Sequence, residues 1–169
     1  MIIVIIDGYN MIGAWEELKR LKEIDFEQAR DRLMEMLSEY QAHYGYRVIV
    51  VFDAYFVQGK EYKGKKHNVE VIFTKEKETA DECIERLVKQ LTNVRDQIYV
   101  ATSDYAEQRT IFGSGALRKS ARELYIELEV MQQTIEERME TQKKEKPTSK
   151  IILDEHVLKI FEKWRRGSK

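Results

Sequence analysis

The chain has 169 residues, of which 35% are charged and 43% hydrophobic, and its formal net charge is −1. This length is typical of one domain with a substantial core, and the hydrophobic content excludes wholesale disorder. The single cysteine, Cys83, and three scattered histidines exclude a disulfide framework and a Cys/His zinc module. The nearly neutral charge argues against a simple polycation.

Strands and helices are predicted to alternate along the first two thirds of the chain. Four apolar, largely β-branched segments predict strands over residues 2–6, 47–53, 68–74 and 97–104. Helices are predicted over 15–21, from Asp25 to a stop at Gly45, and over 79–92, with Asn10 as the N-cap of the first. Residues 58–67 are expected to form a lysine-rich loop. This order indicates right-handed β-α-β units, so we expect a mainly parallel sheet in a doubly wound α/β fold.

The last third of the chain is predicted to be helical. From Ser114 onward, apolar residues recur at heptad-like spacing over about thirty residues, at Leu117, Ala121, Leu124, Leu128, Met131, Ile135 and Met139. The polar segment 142–150, which contains Pro147, is expected to end this long helix. A short terminal helix is expected over 154–166. We therefore divide the chain into an α/β core, 1–113, and a helical C-terminal extension, 114–169, packed on the same domain.

Aspartates follow the predicted strands at the points where ligands bind in such folds. Asp7, Asp53 and Asp104 each end a strand, and Asp81 begins the helix after the third strand. Because ligands bind outside the carboxyl ends of parallel strands, these carboxylates are candidates for one site. Clustered carboxylates repel one another unless a cation joins them, and hard oxygen ligands suit Mg²⁺ or Mn²⁺. A metal held there can activate water for attack on a phosphodiester.

These acids also have purely structural interpretations. Asp104 can cap a following helix, and Asp81 favours the helix dipole without any catalysis. Asp53 can simply hold a loop. Glu78 and Glu82 are alternatives to Asp81 if the start of that helix is misplaced.

Basic residues form three groups that can contact RNA phosphates. They are Lys65 and Lys66 in the predicted loop, Arg118, Lys119 and Arg122 near the start of the long helix, and Arg165 and Arg166 at the end of the chain. Residues 138–169 contain ten Lys/Arg and five Asp/Glu, a net charge of +5. The alternative for each group is an ordinary solvated surface.

Three short motifs resemble the NYN domains of the PIN-like nuclease superfamily: Asp7-Gly8-Tyr9-Asn10, Thr79-Ala80-Asp81 and Thr102-Ser103-Asp104. With the segments GALRKSAREL and EKWRRG, the whole chain is similar to the bacterial YacP-like branch. The resemblance implies a three-layer α/β/α sandwich and an endoribonuclease dependent on Mg²⁺ or Mn²⁺ that cleaves mRNA in association with the ribosome.

The same resemblance assigns roles to individual residues. It places Asp7, Asp81 and Asp104 as metal-binding catalytic acids, with Asn10 and Ser103 nearby in support; Asp53 is a further supporting candidate from its strand position. Many NYN domains carry a second aspartate where this chain has Ala106. The number of metal ions therefore stays open.

Other classes of protein are disfavoured by what the sequence lacks. It contains no signal peptide pattern and no long apolar segment, so we expect a cytoplasmic protein without a membrane partner. Because it has no GxGxxG after the first strand and no GxxxxGK[ST], we expect no nucleotide cofactor. The alternative to a nuclease is a non-catalytic RNA- or ribosome-binding module. A phosphotransfer protein with Asp53 as acceptor comes third, because the acidic pair usual after the first strand is missing.

Overall fold

The structure, a computed structural model, describes residues 1–54, 62–66, 68–103 and 115–167, with the side chains of 62–66, 145–158 and 161 outside the description. Two compact units divide the chain, Met1–Leu128 and Glu129–Lys169. The strands are β1 (Ile2–Asp7), β2 (Arg47–Phe52), β3 (Tyr62–Lys66), β4 (Val69–Phe73), β5 (Gln97–Ala101) and β6 (Leu117–Lys119). The helices are α1 (Gly8–Ala14), α2 (Glu16–Ile24), α3 (Phe26–Tyr44), α4 (Ala80–Leu91) and α5 (Ala121–Arg165).

The strands form one six-stranded sheet in the order β3-β4-β2-β1-β5-β6. All neighbouring pairs are parallel except β3 and β4, which are antiparallel. The first strand lies inside the sheet and is buried at five of its six positions, as expected for a continuous apolar run. The prediction of a mainly parallel α/β sheet is confirmed.

Helices cover both faces of this sheet. Ile3 and Ile5 on β1 belong to a buried cluster with Ile84 and Val88 of α4. The intervening residues of β1 point to the opposite face because side chains alternate along a strand, and α1 and α3 pack against β1, β2 and β4 there. The three-layer arrangement implied by the NYN resemblance is therefore confirmed.

The ends of the helices show one error and two correct predictions. The first helix, α1, begins at Gly8 directly after β1 with Asp7 as its N-cap, and Asn10 lies inside it. The predicted cap at Asn10 is therefore wrong, because the strand passes into the helix without a loop. The helix predicted over 15–21 is α2. Asp25 caps α3, its carboxylate accepting the Glu27 N–H at 3.0 Å, and Gly45 ends that helix in the left-handed conformation at φ 71°.

Two short strands were not predicted. Residues 62–66 of the expected lysine-rich loop form β3, an edge strand that pairs with β4 across a turn at Asn68 (φ 68°). Leu117–Lys119, predicted as helix, form β6 beside β5, and α5 starts after Ser120, whose hydroxyl accepts the Glu123 N–H at 3.1 Å. Both strands are formed by pairing with a neighbouring strand: the sequence YKGKK of β3 has no apolar alternation, and β6 has only three residues.

The predicted break over 142–150 is also corrected. Helix α5 runs through this segment and through Pro147 to Arg165 as one 45-residue helix, so the expected terminal helix is its last part. The flanking Gln, Lys and Glu residues are strong helix formers. The boundary at residue 113 and the packing of the extension on the core stay predictions. In the described part of the chain, no helix is both long and apolar enough to cross a membrane.

Candidate active site at the carboxyl edge of the sheet

The sheet register brings the predicted site residues of β1, β2 and β5 to one edge, which we call the carboxyl edge. Asp7 pairs with Val51, so Asp53 lies two residues further along the neighbouring strand. On the other side Ile6 pairs with Ala101, so Ser103 follows one residue beyond the level of Asp7. Adjacent strands are about 4.8 Å apart. The edge therefore gathers residues that are far apart in the sequence.

Asp7 is the innermost acid of the carboxyl edge. Its side chain is buried (9% exposed), and its Oδ1 accepts the backbone N–H of Asn10 at 3.3 Å. The first turn of α1 thus contributes the Asn10 N–H to the carboxylate, which stabilises the negative charge. A buried carboxylate at the end of an inner strand is the feature expected of a catalytic or metal-binding acid.

Asn10 connects Asp7 to the end of β5. While its backbone N–H contacts Asp7, its side-chain Oδ1 accepts the backbone N–H of Ser103 at 2.8 Å. The Ser103 hydroxyl accepts the N–H of Ala121 at 3.4 Å, and the preceding Thr102 donates its N–H to the Lys119 carbonyl at 3.0 Å. The segment that leads to Asp104 is therefore held by α1, β6 and α5 together. Asp104 itself lies outside the described residues.

The structure at the start of α4 distinguishes Asp81 from its two alternatives, Glu78 and Glu82. Thr79 is the N-cap, its hydroxyl accepting the Glu82 N–H at 3.2 Å. With 100° per residue, Asp81 flanks the buried face of α4, whereas Glu82 points away from the sheet. Glu78 is engaged by Arg86, whose Nη2 lies 2.9 Å from Oε1. Of the three acids, Asp81 is therefore best placed to reach the edge.

The ion pair with Arg86 also lowers the pKa of Glu78. Burial raises the pKa of the Glu78 carboxyl, but hydrogen bonds from Arg86 and from the Lys75 backbone, together with their charges, hold it below its ordinary value. A carboxylate satisfied in this way supports the loop before α4. This argues for a structural role of Glu78 rather than a catalytic one.

An aromatic cluster lines the edge beside Asp7. The Tyr9 ring lies 5.1 Å from the Phe52 ring and 5.9 Å from the Phe26 ring, between centroids. Its hydroxyl accepts a hydrogen bond from Arg30 Nη1 at 3.2 Å. Asp53, immediately after Phe52, acts electrostatically on Tyr9. Arg30 gave no signal in the sequence, because only the apolar face of α3 is periodic.

The oxygen donors of the edge fit a hard divalent cation. Asp7 lies at the edge and Asp81 in the first turn of α4, and both carry carboxylates, the ligands that Mg²⁺ and Mn²⁺ prefer. Among the described residues, no group of three or more His, Cys, Asp and Glu is arranged to hold a metal ion. The third predicted acid, Asp104, is not among those residues. The metal and its ligands therefore stay a prediction.

The residues predicted to contact RNA differ in their exposure and in their place in the fold. Arg118 and Arg122 are exposed near the start of α5, and Arg165 and Arg166 are exposed in the second unit. Lys65 and Lys66 belong to the edge strand β3, and their side chains are outside the description.

Lys119 does not fit its predicted role as an RNA contact. It is buried (8% exposed), its Nζ lies 2.6 Å from Glu127 Oε1, and it sits 4.7 Å from the centroid of the Tyr99 ring. Glu127 also accepts the Tyr40 hydroxyl at 2.7 Å. Burial and this bond to Glu127 raise the pKa of Tyr40 far above its ordinary value, so the phenol stays neutral. Lys119 therefore holds β6 and α5 in place.

Comparisons with known proteins agree with this architecture. A sequence profile of the YacP-like NYN domain family matches residues 4–166. The chain belongs to the YacP-like NYN domain family. It is 60% identical over 167 residues to a protein of Bacillus subtilis (strain 168) named uncharacterized protein YacP, covering 99% of this chain and 98% of that protein.

Solved structures of a YacP-like NYN relative show the same fold. The crystal structure of Rae1 (YacP) from Bacillus subtilis matches with a TM-score of 0.76 at 60% identity, covering 99% of this chain and 96% of that one. A crystal structure of a mutant of the same protein matches with a TM-score of 0.76 at 57% identity and the same coverage. Membership of the YacP-like NYN family suggests a nuclease-type role for this chain.

Proposed function

We propose that this protein is a metal-dependent endoribonuclease that hydrolyses phosphodiester bonds of mRNA at the carboxyl edge of its sheet. The observation that carries the proposal is Asp7, a buried carboxylate at the end of β1 that Asn10 links to the segment before Asp104. The nuclease-type role suggested by the YacP-like NYN family supports the same conclusion.

In this proposal, Asp7, Asp81 and Asp104 hold Mg²⁺ or Mn²⁺. When bound, the ion supplies charge neutralisation at the phosphodiester and lowers the pKa of a water molecule. The protein supplies the geometry: Asn10 fixes the orientation of Asp7 and the position of Ser103 through two hydrogen bonds. Preorganised carboxylates of this kind cost no rearrangement during the reaction.

The charge distribution supports a presenting partner, and we propose the translating ribosome. Affinity for free RNA increases with the number of phosphates neutralised, and the net charge of this chain is only −1. Weak affinity for free RNA is the expected result. A ribosome that holds a message in place supplies the local concentration that the protein's own charge does not.

The deciding experiment is cleavage of mRNA in a purified translation system containing Mg²⁺ or Mn²⁺. Wild type is compared with Asp7→Asn and Asp81→Asn, and Glu82→Gln serves as the control that removes a charge from the same turn of α4. Metal-assisted hydrolysis contributes several kcal/mol, so each aspartate variant is expected to cleave at least about 100-fold more slowly. Discrete cuts that persist in both variants, with folding intact, would contradict the proposal.

Two further comparisons define the partner. Equal cleavage of naked and translated mRNA would remove the ribosome from the proposal while keeping the nuclease. The exposed Arg165 and Arg166 in the positively charged C-terminal segment favour a second candidate, a non-catalytic RNA- or ribosome-binding module. Absence of wild-type cleavage together with retained co-sedimentation with ribosomes would establish that alternative.

A further inference from the structure

We propose that Arg30, held by Tyr9 beside the carboxyl edge, binds a phosphate of the single-stranded RNA substrate. This inference rests on the proposed function, because it extends the same edge into a substrate-binding surface. It concerns a residue on α3, outside all three groups of basic residues that the sequence pointed to.

The first observation is that Arg30 has no ion pair with an acid in the described part of the chain, although Asp53 acts electrostatically on the same Tyr9. Its Nη1 donates to the Tyr9 hydroxyl at 3.2 Å, and it forms no ion pair with the described residues. By contrast, Arg32, Arg47 and Arg86 are each paired with a glutamate at 2.8 to 2.9 Å. A half-buried guanidinium with a neutral partner is available to an anion.

The second observation is the position of Tyr9. It lies two residues after Asp7, and its ring packs against Phe52 at the end of β2 and Phe26 at the start of α3. The 3.2 Å hydrogen bond from Arg30 Nη1 to the Tyr9 hydroxyl orients the guanidinium beside the edge.

The side chains around Arg30 suit the binding of single-stranded RNA. A guanidinium has five N–H donors in a planar fork that suits phosphate oxygens, and the Tyr9 bond engages one of its nitrogens. Phe26 is 37% exposed, and Lys22 Nζ lies 6.0 Å from its ring centroid. Aromatic faces beside cations are how proteins bind single strands, with a base stacked on the ring and the backbone on the charge.

The test is the dissociation constant for a short fluorescein-labelled single-stranded RNA, measured in EDTA over a range of salt concentrations. EDTA prevents metal-dependent cleavage during the titration. Arg30→Gln is compared with Arg32→Gln, which removes the same charge from the same helix. Loss of one charge-assisted phosphate contact is expected to raise Kd about tenfold for Arg30→Gln and to reduce the salt slope by about 0.7. For Arg32→Gln the change is expected to stay below about twofold.

Two milder variants keep the test decisive if Arg30→Gln fails to fold, as judged by circular dichroism. Arg30→Lys keeps the charge but loses the planar fork, and Tyr9→Phe keeps the ring but loses the orienting hydroxyl. Each is expected to raise Kd about threefold. Equal effects of Arg30→Gln and Arg32→Gln, unchanged affinity in both milder variants, or no wild-type binding at the lowest salt would each overturn the assignment.

Cleavage kinetics separate this inference from the proposed function. If wild type binds RNA through Arg30 but cleaves nothing with either metal, the nuclease fails and Arg30 stands as an RNA contact. If wild type cleaves and Arg30→Gln leaves KM and kcat unchanged, the nuclease stands and Arg30 has no part in it. A raised KM with nearly unchanged kcat is the result expected for a binding residue.

Discussion

Gly8, the residue after Asp7, has no room for a side chain. A Cβ added to Gly8 would lie 2.3 Å from Phe52 Cε1 and 2.5 Å from its Cδ1, whereas ordinary contacts begin at 3.4 Å. Phe52 is 1% exposed, and its ring is stacked on Phe73 at 5.4 Å and packed on Tyr9 at 5.1 Å. The ring cannot move by the required ~1 Å without displacing both neighbours. Gly8→Ala is therefore expected to destabilise the protein.

The magnitude follows from two opposing effects. Overpacking a filled core costs up to about 3 kcal/mol, and replacing glycine by alanine in a helix returns up to about 1 kcal/mol. The expected net loss of unfolding free energy is about 2 kcal/mol, which lowers Tm by about 4–8 °C in a chain of this size. Since Gly8 follows Asp7 directly, the same displacement is expected to reduce any activity that depends on that carboxylate.

Urea unfolding followed by circular dichroism measures this loss, and the same helix provides the control. Nothing lies within 4 Å of a Cβ added at Gly13, so Gly13→Ala is expected to be neutral or to stabilise by about 0.5 kcal/mol. Combining Gly8→Ala with Phe52→Leu is expected to recover part of the lost stability, because the smaller side chain leaves space. If Gly8→Ala and Gly13→Ala are equally stable, the reasoning from close packing is wrong.

Two further predictions concern ion pairs. Lys119→Met leaves Glu127 without its partner at 2.6 Å and is expected to lower the free energy of unfolding in urea by about 2 kcal/mol. This is less than the 3–5 kcal/mol of a fully buried pair, because Glu127 is 35% exposed. Adding Glu127→Gln should recover at least half of this loss, and strictly additive losses would count against the pairing. Glu78, whose carboxyl pKa is lowered by Arg86 and Lys75, contributes stability above its ordinary pKa that is lost as pH falls through the lowered value. In Glu78→Gln the fall in Tm on acidification is expected to be shallower than in wild type; identical acid limbs would contradict this role.

The carboxyl edge was predictable from the sequence because its main features are local. A continuous β-branched run such as residues 2–6 favours a buried strand, and parallel strands share one direction. Residues that follow neighbouring strands therefore lie at one edge, as Asp7, Asp53 and Ser103 do. The three motifs also carried the resemblance to the YacP-like NYN family, which the comparisons confirm. The roles of Asp7, Asp81 and Asp104 as metal ligands stay a prediction.

The contacts around that edge were not predictable, because each joins elements distant in the chain. Asn10 was expected to cap a helix or to lie with Ser103 in support of Asp7, but the bond of its side chain to Ser103, 93 residues away, is set by the assembled sheet. Lys119 was expected to face RNA, yet the pairing of β6 with β5 turns it toward Glu127. Arg30 gave no signal in the periodicity of α3.

The sequence by itself determined the strands β1, β2, β4 and β5, the helices α2, α3 and α4, and the aspartate at the end of the first strand, since propensity and periodicity act over a few neighbouring residues. Only the tertiary structure decided which polar side chains form hydrogen bonds and ion pairs with one another. Hydrogen bonds and ion pairs form at about 3 Å, and that proximity arises only when the sheet and its two helical layers are assembled.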